Sequence, residues 1–408
     1  MSRVSYILIS SMIFVYGFYP INMLAELSGY VGTGFSIFIR IVLIFMSCAA
    51  FFCLVPRLAN RPFFAFISFV FFLFFIYFIR LFYDISFQFD SLGVDGDGLV
   101  KSYLSITIAP IFSFLIVLRY YEKHAFLYII SVLSVVAAIT SFLLFDKYIS
   151  SGGGYYGARL STEKANPIAL GSFFVSSIII TWSYLFTNQG RIGDIKKYTC
   201  LLLLLLYFTL VVLSGSRGAL LSLLGVVTTY LFFNSKNRLI SFLFISLFCF
   251  SVISIIVSFS SELFGDIDFF RGYLITGSQD DLSAMIRLGA YTNAISQFIN
   301  NPVFGDLSLE RTTLFYPHNI FVEILMSLGI VGGGAYILYI MLVFFMSIKL
   351  MKQQEGIGMI LSLLWLQQLY ALLFSGSIFQ SYYFWAYGVS VGLIYLNPKF
   401  KEQLNMRS

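Results

Sequence analysis

Apolar runs long enough to cross a bilayer recur from one end of this chain to the other, separated by short polar or basic breaks. Reading each run as a helix places spans at roughly 6–27, 34–55, 62–82, 103–118, 125–145, 167–187, 198–213, 218–233, 239–259, 319–347, 357–373 and 381–396. The first is read as a retained helix, because no small-residue cleavage site separates it from the next. The pair at 198–233 rests on one polar break, Ser214-Gly215-Ser216-Arg217-Gly218. Basic residues at both of its far ends, Lys196/Lys197 and Lys236/Arg238, require an even number of crossings there.

Lys and Arg concentrate in the short breaks at 1–5, 56–61, 119–124, 188–197, 234–238, 348–356 and 397–408, whereas the alternate, longer loops are poor in them. By the positive-inside rule both termini are cytoplasmic. The expected fold class is therefore an all-α polytopic membrane protein of about twelve transmembrane helices. It forms a single membrane domain over 1–408, with a large periplasmic loop at 260–318 that carries short interfacial helices. Composition removes the main alternative. With 59% hydrophobic and 11% charged residues and a mean hydropathy of +0.90, no soluble enzyme domain can be carved from the chain. The net charge of +6 follows from topology and does not point to nucleic acid. Cys48, Cys53, Cys200 and Cys249 all fall inside apolar runs, where none is spaced to bridge a loop or hold a metal.

Three outside loops are substantial: 83–102, 146–166 and 260–318. In the last, Ser278-Gln279-Asp280-Asp281 reads as a helix start. Leu282, Met285, Ile286, Tyr291, Ala294, Ile295, Phe298 and Ile299 then form an apolar stripe, ended by Asn300-Asn301-Pro302, as in a helix lying on the membrane surface.

Candidate chemistry gathers at the outer side. Ionisable residues within the spans are scarce, Arg40 being the deepest, which argues against an ion-coupled transporter. Three spans start from the outer face with capping residues: Asn166 before Pro167, Ser216 before Arg217, and Pro317-His318-Asn319. Each presents free backbone amides and the positive end of its dipole outward, a setting that favours an anion. Arg159, Arg217, Arg287 and His318 lie in or beside these starts, and guanidinium groups grip diphosphate oxygens in pairs. A single outer arginine such as Arg271 or Arg311 is ordinarily a solvated or headgroup contact, and His318 also has an ordinary reading as a cap or packing residue. His124, in the basic turn Arg119 to Lys123 and onward, is a surface residue on this reading. Gly329, Gly332, Gly333 and Gly334 are close-packing residues between helices.

Four stretches, in this order, resemble the bacterial O-antigen ligase and polymerase superfamily. They are Asn166-Pro167-Ile168-Ala169-Leu170-Gly171 after an arginine-containing loop; Ser214-Gly215-Ser216-Arg217-Gly218-Ala219-Leu220-Leu221; Arg287-Leu288-Gly289-Ala290-Tyr291 running to Asn301-Pro302-Val303-Phe304-Gly305; and His318-Asn319 followed by Gly329-Ile330-Val331-Gly332. The likeness covers about residues 150–335. It implies a multi-pass glycosyltransferase of the bacterial inner membrane, with its active site facing the periplasm and an undecaprenyl-diphosphate-linked glycan as donor. The resemblance further implies that Arg217 and Arg287 hold the diphosphate and that His318 assists transfer. Arg159, Asn166, Asn319, Arg271 and Arg311 are the expected substrate contacts. No metal and no cofactor is called for, since arginines and helix amides can meet the charge that grows on the leaving diphosphate. An imidazole suits the acceptor proton, although Asp280, Asp281 or Glu310 remains an alternative base. Expected partners are the lipid bilayer, a flippase and a chain-length regulator.

Within that superfamily the modest loop at 260–318 and the abundance of Phe and Tyr (48 and 27) favour a polymerase over a ligase that transfers the glycan to lipid A core. A glycan-lipid flippase or exporter, and a scaffold for envelope assembly, are the readings outside glycosyl transfer.

Overall fold

The computed structural model describes residues 3–30, 34–58, 60–94, 96–150, 159–187, 193–235, 282–353 and 356–405, and no strand occurs among them. The helices are α1 (Arg3–Val15), α2 (Phe18–Leu27), α3 (Gly34–Arg57), α4 (Arg61–Leu92), α5 (Gly96–Arg119), α6 (Lys123–Ser150), α7 (Pro167–Thr187), α8 (Asp194–Leu213), α9 (Arg217–Asn234), α10 (Leu282–Asn300), α11 (Ile320–Lys352), α12 (Gly356–Leu372), α13 (Tyr382–Leu396) and α14 (Pro398–Asn405). Among the described residues eight helices are long and apolar enough to cross a membrane, and α1 with α2 makes a ninth if that bent pair is one span. The span expected at 239–259 lies outside the described residues.

α7, α9, α11, α12 and α13 form the centre: α7 packs on α8, α9 and α12, and α12 packs on α9, α11 and α13. Both α12 and α13 are apolar all round and buried on nearly every side, as helices wrapped by other helices must be. Peripheral helices keep bare apolar faces, for example Phe64, Phe71, Phe72, Phe75 and Phe82 on α4, which is the pattern of lipid-facing surface. Some of the buried polar groups tie helices together. Gln367 of α12 accepts from Ser176 (2.8 Å) and donates to the Ser172 carbonyl (2.8 Å), tying α12 to α7. Cys48 and Cys53 are exposed free thiols and Cys200 a buried one; Cys249 lies outside the described residues.

Three features depart from the sequence reading. The run at 6–27 is not one straight helix, for α1 and α2 meet at 73° around Tyr16 and Gly17. The cause is Pro20: in an unbroken helix its ring would strike the carbonyl four residues back and its missing N–H would leave a bond unmade. Within the first turn of α2 neither cost arises. Secondly, 83–102 is no loop. α4 runs on to Leu92 and α5 starts at Gly96, each carried through a π-helical turn, Ile85–Phe89 and Tyr103–Ile108, and Gly93 makes the reversal in left-handed backbone. The third is a break in α11 at Gly329, whose φ of 62° and ψ of −161° are not helical.

Candidate active site

α7, α9 and α11 begin with side-chain caps. Asn166 accepts from Ala169 N (2.8 Å), Ser216 from Ala219 N (3.3 Å), and Asn319 from Phe321 N and Val322 N (3.0 and 3.2 Å). These caps fix where each helix starts and hence where the residues beside them point. Gly171 lets the starts of α7 and α9 approach closely, for a Cβ there would lie 2.8 Å from Ser214 Oγ and 2.9 Å from Ala219 Cβ. Asn319 also donates to Leu373 O (3.2 Å), and the buried Glu323 accepts from Ser377 Oγ (2.5 Å), so the start of α11 is bound to the segment between α12 and α13.

A cavity of about 480 Å³ opens where these starts converge, and it is lined by Arg159, Arg217, Arg287, His318 and Asn319 together with Tyr291, Ser216 and Ser375. Ile168, Leu221, Leu288 and Phe374 supply an apolar side. All three arginines are half-buried, and no described residue lining the cavity is acidic. Three cations converge on it beside the amides of capped helix starts, a setting that suits an anion.

Each arginine arrives by a different route. Leu160 N donates to Leu213 O (2.9 Å), which lays residue 159 across the turn before α9, and the Arg159 side chain covers Gly215 at 3.0 Å from where a Cβ would stand. Arg217 is the first residue of α9. Arg287 is carried by α10, which rests on α11 through the small or polar residues Ala290, Ala294 and Gln297 while Ile286, Leu288 and Ile299 remain exposed.

A clasp after α10 sets its position. Ile330 N and Val331 N donate to Pro302 O and Val303 O (2.8 and 3.2 Å), and Asp306 N donates to Met326 O (2.8 Å), so residues 302–306 seat in the break of α11. Gln297 donates to Asp306 and accepts from Arg311 N (2.8 Å), and Asp84 of α4 accepts from Ser308 N (2.8 Å). Arg80 bonds both Asp84 and Asp306 O.

His318 sits in left-handed backbone (φ 59°), a strained state for a residue with a Cβ, held between Pro317 and the Asn319 cap. Its ring lies against Phe315 and Tyr316, with centroids 5.6 and 4.6 Å away, and its Nδ1 is buried without a described hydrogen-bond partner. Burial, reinforced by the nearby Arg287 charge, depresses its pKa to about 4. The imidazole is neutral at physiological pH and able to accept a proton.

The remaining candidates fall elsewhere. Arg311 is outside the cavity: Asp306 holds its guanidinium at 2.6 and 2.7 Å and Gln88 at 2.8 Å, so it serves the clasp and is not placed as a substrate contact. Asn166 borders a neighbouring cavity, not this one. Arg271, Asp280 and Asp281 lie outside the described residues. Glu310 is buried and fully used, accepting from Thr312 N, Thr313 N and Thr313 Oγ1 (2.7 Å each). Burial alone would raise its carboxyl, but these bonds hold it below the usual range, so it is a poor candidate base. His124 is exposed, in keeping with a surface role. Sequence reasoning passed over Gln297, Asp306 and Arg80, whose only signal was polarity beside the Asn-Pro turn or at the end of a span.

Residues 202–306 match the family model of O-antigen ligase. The resemblance to the O-antigen ligase and polymerase superfamily thus holds across about a quarter of the chain, from within α8 to Asp306. This stretch contains Arg217, Arg287 and the first half of the clasp, and supports a ligase- or polymerase-type role in surface glycan synthesis. Arg159 precedes it and His318 follows it, and both share the cavity with Arg217 and Arg287. No curated protein and no solved structure matches the chain significantly.

Proposed function

We propose that this protein polymerises undecaprenyl-diphosphate-linked repeat units into O-antigen or a related surface polysaccharide at the periplasmic face of the inner membrane. The observation that carries the reading is the cavity in which Arg159, Arg217 and Arg287 meet a neutral histidine at capped helix starts. Arg217 and Arg287 hold the donor diphosphate and Arg159 closes over it, while the apolar wall of Leu221, Leu288 and Phe374 accepts the start of the polyprenyl chain. In the transfer, an acceptor hydroxyl oxygen forms a bond to the anomeric carbon and the bond from that carbon to the phosphate oxygen breaks. The hydroxyl proton goes to the His318 imidazole, and the electron pair leaves with undecaprenyl diphosphate, whose added charge the arginines and helix amides stabilise. The flippase and chain-length regulator expected as partners belong to this proposal.

A second reading, transfer to lipid A core, is favoured by the description of the matching family, and it uses the same donor chemistry. The two separate on a gel of lipopolysaccharide from a deletion strain. Single-repeat species are expected for the polymerase, whereas loss of every attached repeat assigns the ligase. An unchanged ladder rejects both, and purified protein that moves lipid-linked repeats without lengthening them restores the flippase reading.

The histidine also gives a pH signature. Because the Arg287 charge depresses the imidazole pKa, removing it favours the protonated form, so Arg287→Gln is expected to shift the acidic limb of kcat/KM to higher pH. In the wild type the kcat limb lies above the kcat/KM limb, because bound diphosphate offsets Arg287 and favours the imidazolium. Rate profiles extending to at least one unit below the depressed imidazole pKa read both, and identical limbs in wild type and variant would remove His318 from the proton transfer.

A further inference from the structure

A second cavity, of about 450 Å³, adjoins the first and shares Ile168, Gly218 and Ser375 with it. Its walls come from α2, α3, α5, α7, α12 and the segment leading into α13, and they include Arg40, Tyr19, Gln368, Gln380, Tyr382 and Asn166. No acidic residue is among the described residues lining it. Arg40 is well inside α3, where an arginine facing hydrocarbon is costly, yet it lines this cavity and no described carboxylate pairs with it. The tyrosines are fixed in place: Tyr383 Oη and Tyr382 Oη donate to Val15 O at the open end of α1 (2.8 and 3.3 Å), and Tyr16 Oη meets Ser177 Oγ at 3.0 Å. The bend between α1 and α2 is what brings Tyr16 and Tyr19 to this wall.

Rigid aromatic faces with amide side chains beside them suit a carbohydrate, whose rings carry apolar faces and hydroxyl edges. The position suits the second substrate. A displacement at the anomeric carbon needs the hydroxyl on the side away from the leaving diphosphate, and this cavity lies across Gly218 and Ser375 from the arginines.

We infer that the second cavity holds the acceptor glycan, and that Arg40 binds an anionic group on that acceptor, either its diphosphate or an acid on its sugars. The inference rests on the proposed glycosyl transfer. The acceptor hydroxyl then reaches past Gly218 to the donor carbon; the new C–O bond forms as the C–O bond to phosphate breaks, and His318 takes the proton.

The test uses the purified full chain with a lipid-diphosphate-linked repeat unit blocked at its accepting hydroxyl as donor. Two acceptors are compared: the same repeat on undecaprenyl diphosphate, and its benzyl glycoside, which lacks the diphosphate and keeps any acid on the sugars. Arg40→Gln is expected to raise the acceptor KM about tenfold, the scale of one lost charge-assisted hydrogen bond, with the donor KM unchanged and Arg40→Lys restoring much of the effect. A rise with the diphosphate acceptor alone places that diphosphate on Arg40, whereas a rise with both places a sugar acid there. Gln368→Ala in the same wall reads the acceptor KM independently should Arg40→Gln fail to fold. Unchanged acceptor KM in both variants, or a rise confined to the donor, overturns the inference while wild-type transfer stands. Absence of transfer in the wild type overturns the proposed function itself.

Discussion

Arg217→Ala and Arg287→Ala are each expected to lower the proposed glycan transfer by about a hundredfold to a thousandfold while the protein stays at normal abundance in the membrane, the range found when one preorganised group that stabilises a leaving charge is removed. The expectation follows from charge balance in the cavity. Three guanidinium groups line it, so an anion bound there meets all three and loses a large share of its stabilisation with any one. Lysine at either place keeps the charge but not the paired donors, and recovers only part of the rate. His318→Ala is expected to cost about a hundredfold or more, as for loss of a positioned base. Transfer rates with the purified variants, set beside membrane abundance, make the check. Full activity in all three variants would favour the scaffold reading.

The second large effect concerns a position with no chemistry. Gly329→Ala is expected to destabilise the protein by about 2–4 kcal/mol and to abolish most transfer. With φ 62° and ψ −161°, Gly329 occupies backbone that is essentially closed to other residues, and an added Cβ would stand 2.4 Å from the Val303 carbonyl and 2.5 Å from Gly305 N. Neither neighbour can yield, because both are backbone and both belong to the turn that seats in the break. If 302–306 is displaced, the bonds from Ile330 and Val331 to Pro302 and Val303 are lost, and α10 with Arg287 loses its anchor. Gly305→Ala has the same outcome for the mirrored reason, its Cβ meeting Ser327 C at 2.4 Å with φ at +75°. Gly334→Ala, with open space around its Cβ, is the control. Thermal unfolding of the three purified variants decides the point, and an undisturbed Gly329→Ala protein would show the clasp to be dispensable.

Much of the candidate site's placement was legible because it is built from local signals. Asn166, Ser216 and Asn319 are caps whose function depends only on the residues that follow them, and Arg217 and His318 stand next to two of those caps. Arg159 and Arg287 were legible as basic residues on the sparsely charged side. Arg311 carried the same signal and proved different, since Asp306, five residues earlier, binds it in a turn whose shape no periodicity records. The four glycines after His318 were readable as a packing feature, but of these Gly329 alone would bring a Cβ within 3 Å of backbone, at Val303 and Gly305.

By itself the sequence determined a chain of apolar helices, the residues at which three of them start, and the surplus of positive charge around those starts. These are properties of hydropathy, capping and composition, and they act over a few residues. Only the tertiary structure decided that Arg159, Arg217, Arg287 and His318 share one cavity, that Arg311 does not, and that Arg40 lines a second cavity beside it. Those outcomes depend on the bend at Pro20, on π-helical turns that lengthen α4 and α5, and on the turn inserted at Gly329. Each of them turns or shifts a helix, and the direction is set by what the helix packs against rather than by its own pattern.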